Sequence, residues 1–307
     1  MIQIEHVYKT FDIIQAVVDV SLTIERKSIV GLIGPNGAGK TSLLKILATL
    51  YKPDRGTVFI DGINLVNEVG RVRPKIGFMP NDFGRFGDMT IREYIRFFGV
   101  STGVSWKKID QTVDEILELT DLTTRAEQLV IEGSTGIKQR ACLAKTLVHN
   151  PEILLLDEPA SGLDPRARIE IRELLKELKS LNKTILLSSH ILSDLEEICT
   201  HFAFIDRGRL LLYASRAELL DKQQQESISY RLEVRKNDSD SLKNVLSTQG
   251  HISILLDQEG HFEIASKEWN GNQLLQKIID SEIEVLGFGK QKKALEDIFL
   301  QITERFS

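Results

Sequence analysis

The chain has 307 residues, 42% of them hydrophobic and 27% charged, which suits one large globular domain with an appendage, or two domains. Its net charge of −5 leaves no broad basic footprint for nucleic acid. No apolar run approaches the roughly 18 residues of a membrane span, so work at a membrane has to pass through a partner.

The opening MIQIEHVYKTFD lacks the basic-then-apolar pattern of a signal peptide. Residues 28–33, SIVGLI, form a short β-branched run that reads as a buried strand. It leads into GPNGAGKTS, which is Gly34, Pro35, Asn36, Gly37, Ala38, Gly39, Lys40, Thr41 and Ser42, and then into the helix-periodic LLKILATL. Strand, glycine-rich turn and helix are the context that G-x-x-x-x-G-K-[ST] requires of a phosphate cradle. The glycines let backbone N–H groups point at phosphate oxygens, and the helix aims its positive end at the same place. Lys40 is expected to reach the outer phosphates and Thr41 to offer its hydroxyl to Mg²⁺.

Farther along, TIRE at Thr90–Glu93 is a capping box that opens a helical region expected over about residues 88–148, with Ile109, Val113, Ile116 and Leu117 on one face. Within it, GSTGIKQR places Ser134, Thr135 and Gly136 at a helix start. Residues 153–158, ILLLDE, read as a strand buried on both faces that ends in an acidic pair. Loops at the carboxyl ends of such strands bind ligands, so Asp157 is expected to hold a metal and Glu158 to polarise an attacking water. A solvated turn is the competing reading. Ser161, Gly162, Leu163 and Asp164 precede a helix capped by Asp164 with Pro165 at its first position. Its core face is expected to carry Ala167, Ile171, Leu174, Leu175, Leu178 and Leu181. TILLSSH then gives another buried strand ending in His190, either a packed residue or a γ-phosphate contact.

After the polar break at 221–227 the pattern is strand (228–234), helix (239–249), strand (252–256), strand (262–265), helix (273–279) and strand (283–288), the βαββαβ order of a ferredoxin-like fold. An amphipathic helix is expected over 294–305. Cys142 and Cys199 lie far apart in apolar stretches and read as reduced packing cysteines of a cytosolic protein. The six histidines show no paired ligand spacing, so zinc is not expected.

Taken together these motifs resemble the ATP-binding cassette family, specifically the nucleotide-binding subunits of ABC transporters, over roughly residues 1–220. The resemblance implies an α/β P-loop NTPase cassette, with a mostly parallel core sheet, an N-terminal antiparallel β part and a helical subdomain. A small α+β domain follows over 227–307. It also implies ATP and Mg²⁺ as cofactors, Walker A at Gly34–Thr41, Walker B ending at Asp157, Glu158 and His190 as catalytic residues, and a D-loop at Ser161–Asp164. Phe11 in YKTF is implied to stack on adenine, although on the residues alone it fits a core position as well.

Members of this family close two cassettes head to tail, each supplying a Leu-Ser-Gly-Gly-Gln signature to its partner's ATP. Here GSTGI stands in its place: Ser134 and Gly136 match, while Thr135 brings a branched side chain where backbone and phosphate meet closely. The family's Q-loop glutamine, a metal and permease contact, is matched by Asn81, one methylene shorter. Both departures imply slow hydrolysis as a homodimer, or pairing with a second cassette that carries an intact signature. The expectation is an ATPase, peripheral on the cytoplasmic face of the cell membrane, that powers a separate permease. The chain's end, ALEDIFLQIT, resembles cassettes of ABC-2-type exporters. A soluble ABC ATPase acting on the ribosome or DNA is the alternative; it is weakened by the single cassette, the modest helical insertion and the missing zinc cysteines.

Overall fold

The fold is given by a computed structural model, which describes residues 1–82, 84, 88–191, 193–219, 228–235, 238–247, 252–256, 261–266, 269–281 and 283–291. The chain divides after Ser215 into two compact units.

The first unit holds two sheets. Strands β1 (Ile2–Phe11), β2 (Ile14–Ile24), β4 (Arg55–Ile60) and β5 (Ile63–Asn64) form an antiparallel sheet in the order β2-β1-β4-β5. In β2 the residues Val18, Val20, Leu22 and Ile24 are buried and their neighbours Asp19, Ser21 and Thr23 exposed, the alternation of a sheet with one wet face. The second sheet contains β3 (Ile29–Ile33), β6 (Ile76–Met79), β7 (Ile153–Asp157), β8 (Thr184–Ser189), β9 (His201–Asp206) and β10 (Arg209–Ser215). Its order is β10-β9-β3-β8-β7-β6, parallel throughout except at the β10 edge. Every residue of β3, β7 and β8 is buried, because helices cover both faces of such a sheet.

Helix α1 (Lys40–Leu47) follows β3 and buries Leu43, Leu44, Ile46 and Leu47. These share one core with Ile2 and Val20 of the antiparallel sheet and Leu32, Leu155 and Leu186 of the parallel one. The short α2 (Val69–Val72) precedes β6. A helical subdomain of α3 (Ile91–Ser101), α4 (Ile109–Leu119) and α5 (Thr135–Leu147) has its own core around Tyr94, Ile95, Val113, Leu117 and Ala144. The capping box at its start is formed as expected: Thr90 Oγ1 accepts from Glu93 N, and Glu93 Oε2 accepts from Thr90 N. Helices α6 (Pro165–Ser180) and α7 (Ser193–Glu196) flank β8.

One expected core residue is not in the core. Leu181 is 52% exposed, because α6 stops at Ser180 and the backbone turns left-handed at Asn182, taking Leu181 off the apolar stripe. Cys142 and Cys199 are both buried, and no disulfide joins them.

In the second unit, β11 (Ile228–Val234), α8 (Ser239–Ser247), β12 (Ile252–Leu256), β13 (Phe262–Ser266), α9 (Gly271–Ile279) and β14 (Val285–Gln291) follow the expected βαββαβ order. Its antiparallel sheet runs β12-β13-β11-β14 over a separate core of Leu232, Leu246, Phe262, Ile264 and Leu274. The break at 221–227 and the helix expected over 294–305 lie outside the described residues.

Candidate active site

The parallel sheet sets the geometry. Strands β3, β8 and β7 are neighbours that point the same way, so their carboxyl ends deliver the glycine loop, Ser188 to His190, and the acidic pair to one rim. Two glycines of the loop are dictated by space. A Cβ on Gly34 would lie 2.1 Å from the Ile205 carbonyl oxygen, and one on Gly39, whose φ is 102°, would lie 2.1 Å from that of Ala16. The loop is therefore held between β9 and β2 at these two positions, neither of which has room for a side chain.

Lys40 opens α1 and is 6% exposed. Its Nζ donates to the Gly34 carbonyl at 2.7 Å and the Pro35 carbonyl at 3.1 Å, and lies 3.7 Å from Glu158 Oε1. Burial pushes the ammonium below the usual lysine value, opposed by the Glu158 and Asp157 carboxylates. Thr41 Oγ1 donates to Asp157 at 2.8 Å (Oδ2) and 3.1 Å (Oδ1). Glu158 has a left-handed backbone with φ 52°, a strained conformation for a non-glycine residue. Its Oε2 is 2.8 Å from His190 Nδ1. Lys40, Thr41, Asp157, Glu158 and His190 are thus brought together, from segments far apart in the chain.

Phe11 sits at the end of β1, half-buried, its ring edge-on to Tyr51 with centroids 5.1 Å apart and Lys9 Nζ 5.3 Å from its own centroid. Such a partly open ring retains an aromatic surface for a planar ligand. Asn81, just past β6, is exposed, and none of the hydrogen bonds at Thr41 and Asp157 involves it.

Ser134 caps α5, its Oγ accepting from Ile137 N at 3.4 Å. No acidic residue lies in the first turn of α5, so the positive helix end is not neutralised locally. Ser134, Thr135 and Gly136 line a cleft of about 460 Å³ together with Gly162, Leu163, Asp164, Arg140 and Glu170. A Cβ on Gly162 would stand 3.8 Å from Thr135 Cγ2, so Thr135 leans toward the loop before α6 of its own chain. Asp164 caps α6 by accepting from Ala167 N at 2.9 Å. Among the described residues, no hydrogen bond or ion pair joins Ser134 to Lys40, Asp157 or Glu158.

Two residues near this rim are not foreshadowed by any motif. Tyr51 buttresses Phe11, and Ser188 bonds both Asp157 and the Glu158 backbone. The paired serines before His190 are plain in the sequence, but the register Asp157↔Ser188 carries no local signal.

Residues 17–161 match the family model described as ABC transporter. The chain is 33% identical over 305 residues, 98% of this chain and 99% of the relative, to the uncharacterized ABC transporter ATP-binding protein YxlF of Bacillus subtilis (strain 168). It is 32% identical over 92% of this chain and 90% of the relative to the bacitracin transport ATP-binding protein BcrA of Bacillus licheniformis. Among solved structures, the dimeric post-hydrolysis state of an ATP-binding cassette bound to ADP and Pi superposes with a TM-score of 0.65 at 27% identity, covering 70% of this chain and 99% of that one. With the glycine loop, the acidic pair and the capped α5 in place on this fold, the chain belongs to the ABC transporter family, as an ATP-binding and ATP-hydrolysing subunit.

Proposed function

We propose that this subunit binds ATP between the loop Gly34–Ser42 and the ring of Phe11, and that Glu158 is the general base of hydrolysis. The observation that carries the reading is the convergence of Lys40, Asp157, Glu158 and His190 at one sheet rim. The loop amides and the start of α1 take the phosphates. Glu158 accepts a proton from water as the oxygen attacks the γ-phosphorus, and the bond to the β–γ bridging oxygen breaks to leave ADP and phosphate. His190, hydrogen-bonded to Glu158 Oε2, orients that carboxylate and is the residue we assign to the γ-phosphate.

The hydroxyl of Thr41 and the carboxylate of Asp157 are hard oxygen donors held together, which fits Mg²⁺; that ion supplies charge neutralisation on the phosphates when bound. Among the described residues no group of three or more His, Cys, Asp or Glu is placed to hold a metal by itself, a pattern suited to an ion that keeps water and phosphate ligands. The exposed position of Asn81 supports no metal role in this arrangement.

The separate cleft of Ser134 supports use of the signature on a second cassette's ATP in a head-to-tail pair, and the solved relative bound to ADP and Pi is itself dimeric. The cassette, about residues 1–220, drives a membrane permease from the cytoplasmic face. No described helix is long and apolar enough to cross a membrane; transport falls to that partner, with export as the direction. The second unit acts as an accessory domain.

Replacing Glu158 by Gln tests the reading. ATP binding, measured with a fluorescent nucleotide, should persist while turnover falls on the order of 10²–10⁴-fold, the scale of a lost general base. Unchanged turnover would mean that the base lies elsewhere.

A further inference from the structure

We infer that Ser188 is a positioning residue that sets both acids of the site at once. It rests on the reading of Asp157 as metal holder and Glu158 as base, and it assigns a role to a side chain that neither requires.

Ser188 is fully buried at the penultimate position of β8, paired in register with Asp157 of β7. Its hydroxyl accepts from Glu158 N at 2.9 Å and donates to Asp157 Oδ1 at 2.7 Å. The polarity of this chain is fixed. A backbone N–H only donates, so the Ser188 oxygen must accept from it, and the single hydroxyl proton is then spent on the carboxylate.

Two consequences follow. The Glu158 N–H is satisfied by the Ser188 hydroxyl on β8, at the residue where the backbone turns left-handed. That same turn aims the Glu158 carboxylate at Lys40 and His190. On the other acid, Oδ1 takes the Ser188 proton while Oδ2 takes the shorter of the two bonds from Thr41. The Asp157 carboxylate is thereby locked in rotation from the strand side, with Oδ2 turned to the hydroxyl it would share a metal with. Residues that support a metal ligand in this way typically change metal affinity or activity by about 10–100-fold when removed.

The test uses the full chain with Ser188→Ala and Ser188→Thr, alongside Glu158→Gln. Ala is smaller by one oxygen and should fold; a thermal melt of each variant checks this. We expect Ser188→Ala to lower kcat about 10–100-fold while affinity for a fluorescent ATP analogue in EDTA stays within about twofold. The gain in nucleotide affinity on adding Mg²⁺ should shrink with it, and Ser188→Thr, which keeps the hydroxyl, should restore both. A wild-type kcat and Mg²⁺ response in Ser188→Ala overturns the inference. So does a loss of nucleotide affinity in EDTA that tracks a lower melting temperature, since that is a general structural defect. If Glu158→Gln keeps its turnover, the assignment of the base fails instead, and the Mg²⁺ response of Ser188→Ala still decides the role of Ser188.

Discussion

Thr135 puts a β-branched side chain on the first turn of α5, whose amides are proposed above to meet a phosphate. The main donors there are backbone groups and the Ser134 hydroxyl, which the substitution leaves in place. What it changes is approach: the methyl extends toward Gly162 and makes the helix tip bulkier on the face proposed to meet a partner cassette. Thr135→Gly should therefore raise ATPase turnover, in the homodimer or in the native complex, by up to about tenfold, equivalent to about 1.4 kcal/mol. Steady-state rates of the two proteins at saturating ATP decide the matter, and no gain in either setting counts against a hindered signature. The neighbouring loop works by the opposite device, since at Gly34 and Gly39 even a methyl group is excluded by backbone.

Among the elements, Asp61 shows how the antiparallel sheet is tied to its surroundings. It sits in the β4–β5 turn and receives the amino group of Met1 at 2.7 Å, the Arg26 guanidinium at 2.8 Å and Lys75 at 3.4 Å. Burial alone would raise its pKa, but hydrogen bonds from the amino terminus and Arg26 outweigh it and bring the carboxyl down to about 2. A carboxyl depressed in the folded state stabilises it above its unfolded value of 3.8, and this contribution is lost as pH falls from there toward 2. Urea melts should accordingly find Asp61→Asn less stable than wild type at pH 7, with the gap closing in acid; a gap independent of pH would mean that the ion pairs contribute nothing.

The elements also divide what the residues announce from what they conceal. The capping box at Thr90, the Asp164 cap with Pro165, the phosphate loop and the aliphatic runs of β7 and β8 are local patterns with local causes, and they are legible in the sequence. Ser188, Tyr51 and the exposure of Leu181 depend on strand register, on an aromatic meeting another from a distant loop, or on where a helix happens to stop. None of these has a short-range signature. Asn81 matches the family's glutamine in position and in its amide, one methylene shorter, and its exposure has no short-range signature either.

On the scale of the whole molecule, each unit has its own apolar core, and the phosphate loop belongs to the first alone. Nucleotide at a hundred times its Kd adds about 2.7 kcal/mol to whatever binds it. Calorimetry with ATP and Mg²⁺ should therefore show one endotherm that climbs with ligand and one that stays; a single transition moving as a whole would mean that the two units unfold together.

The strand order has a consequence for how the protein is made. Among the described residues, strand β3, which launches the phosphate loop, pairs with β8 and β9 alone, and both are encoded after the entire helical subdomain. A nascent chain leaving the ribosome therefore carries its most apolar strand without neighbours until translation has nearly finished the cassette. Prematurely terminated products ending before Thr184 have neither an ATP cleft nor a shielded central strand, which makes them natural clients for chaperones and proteases.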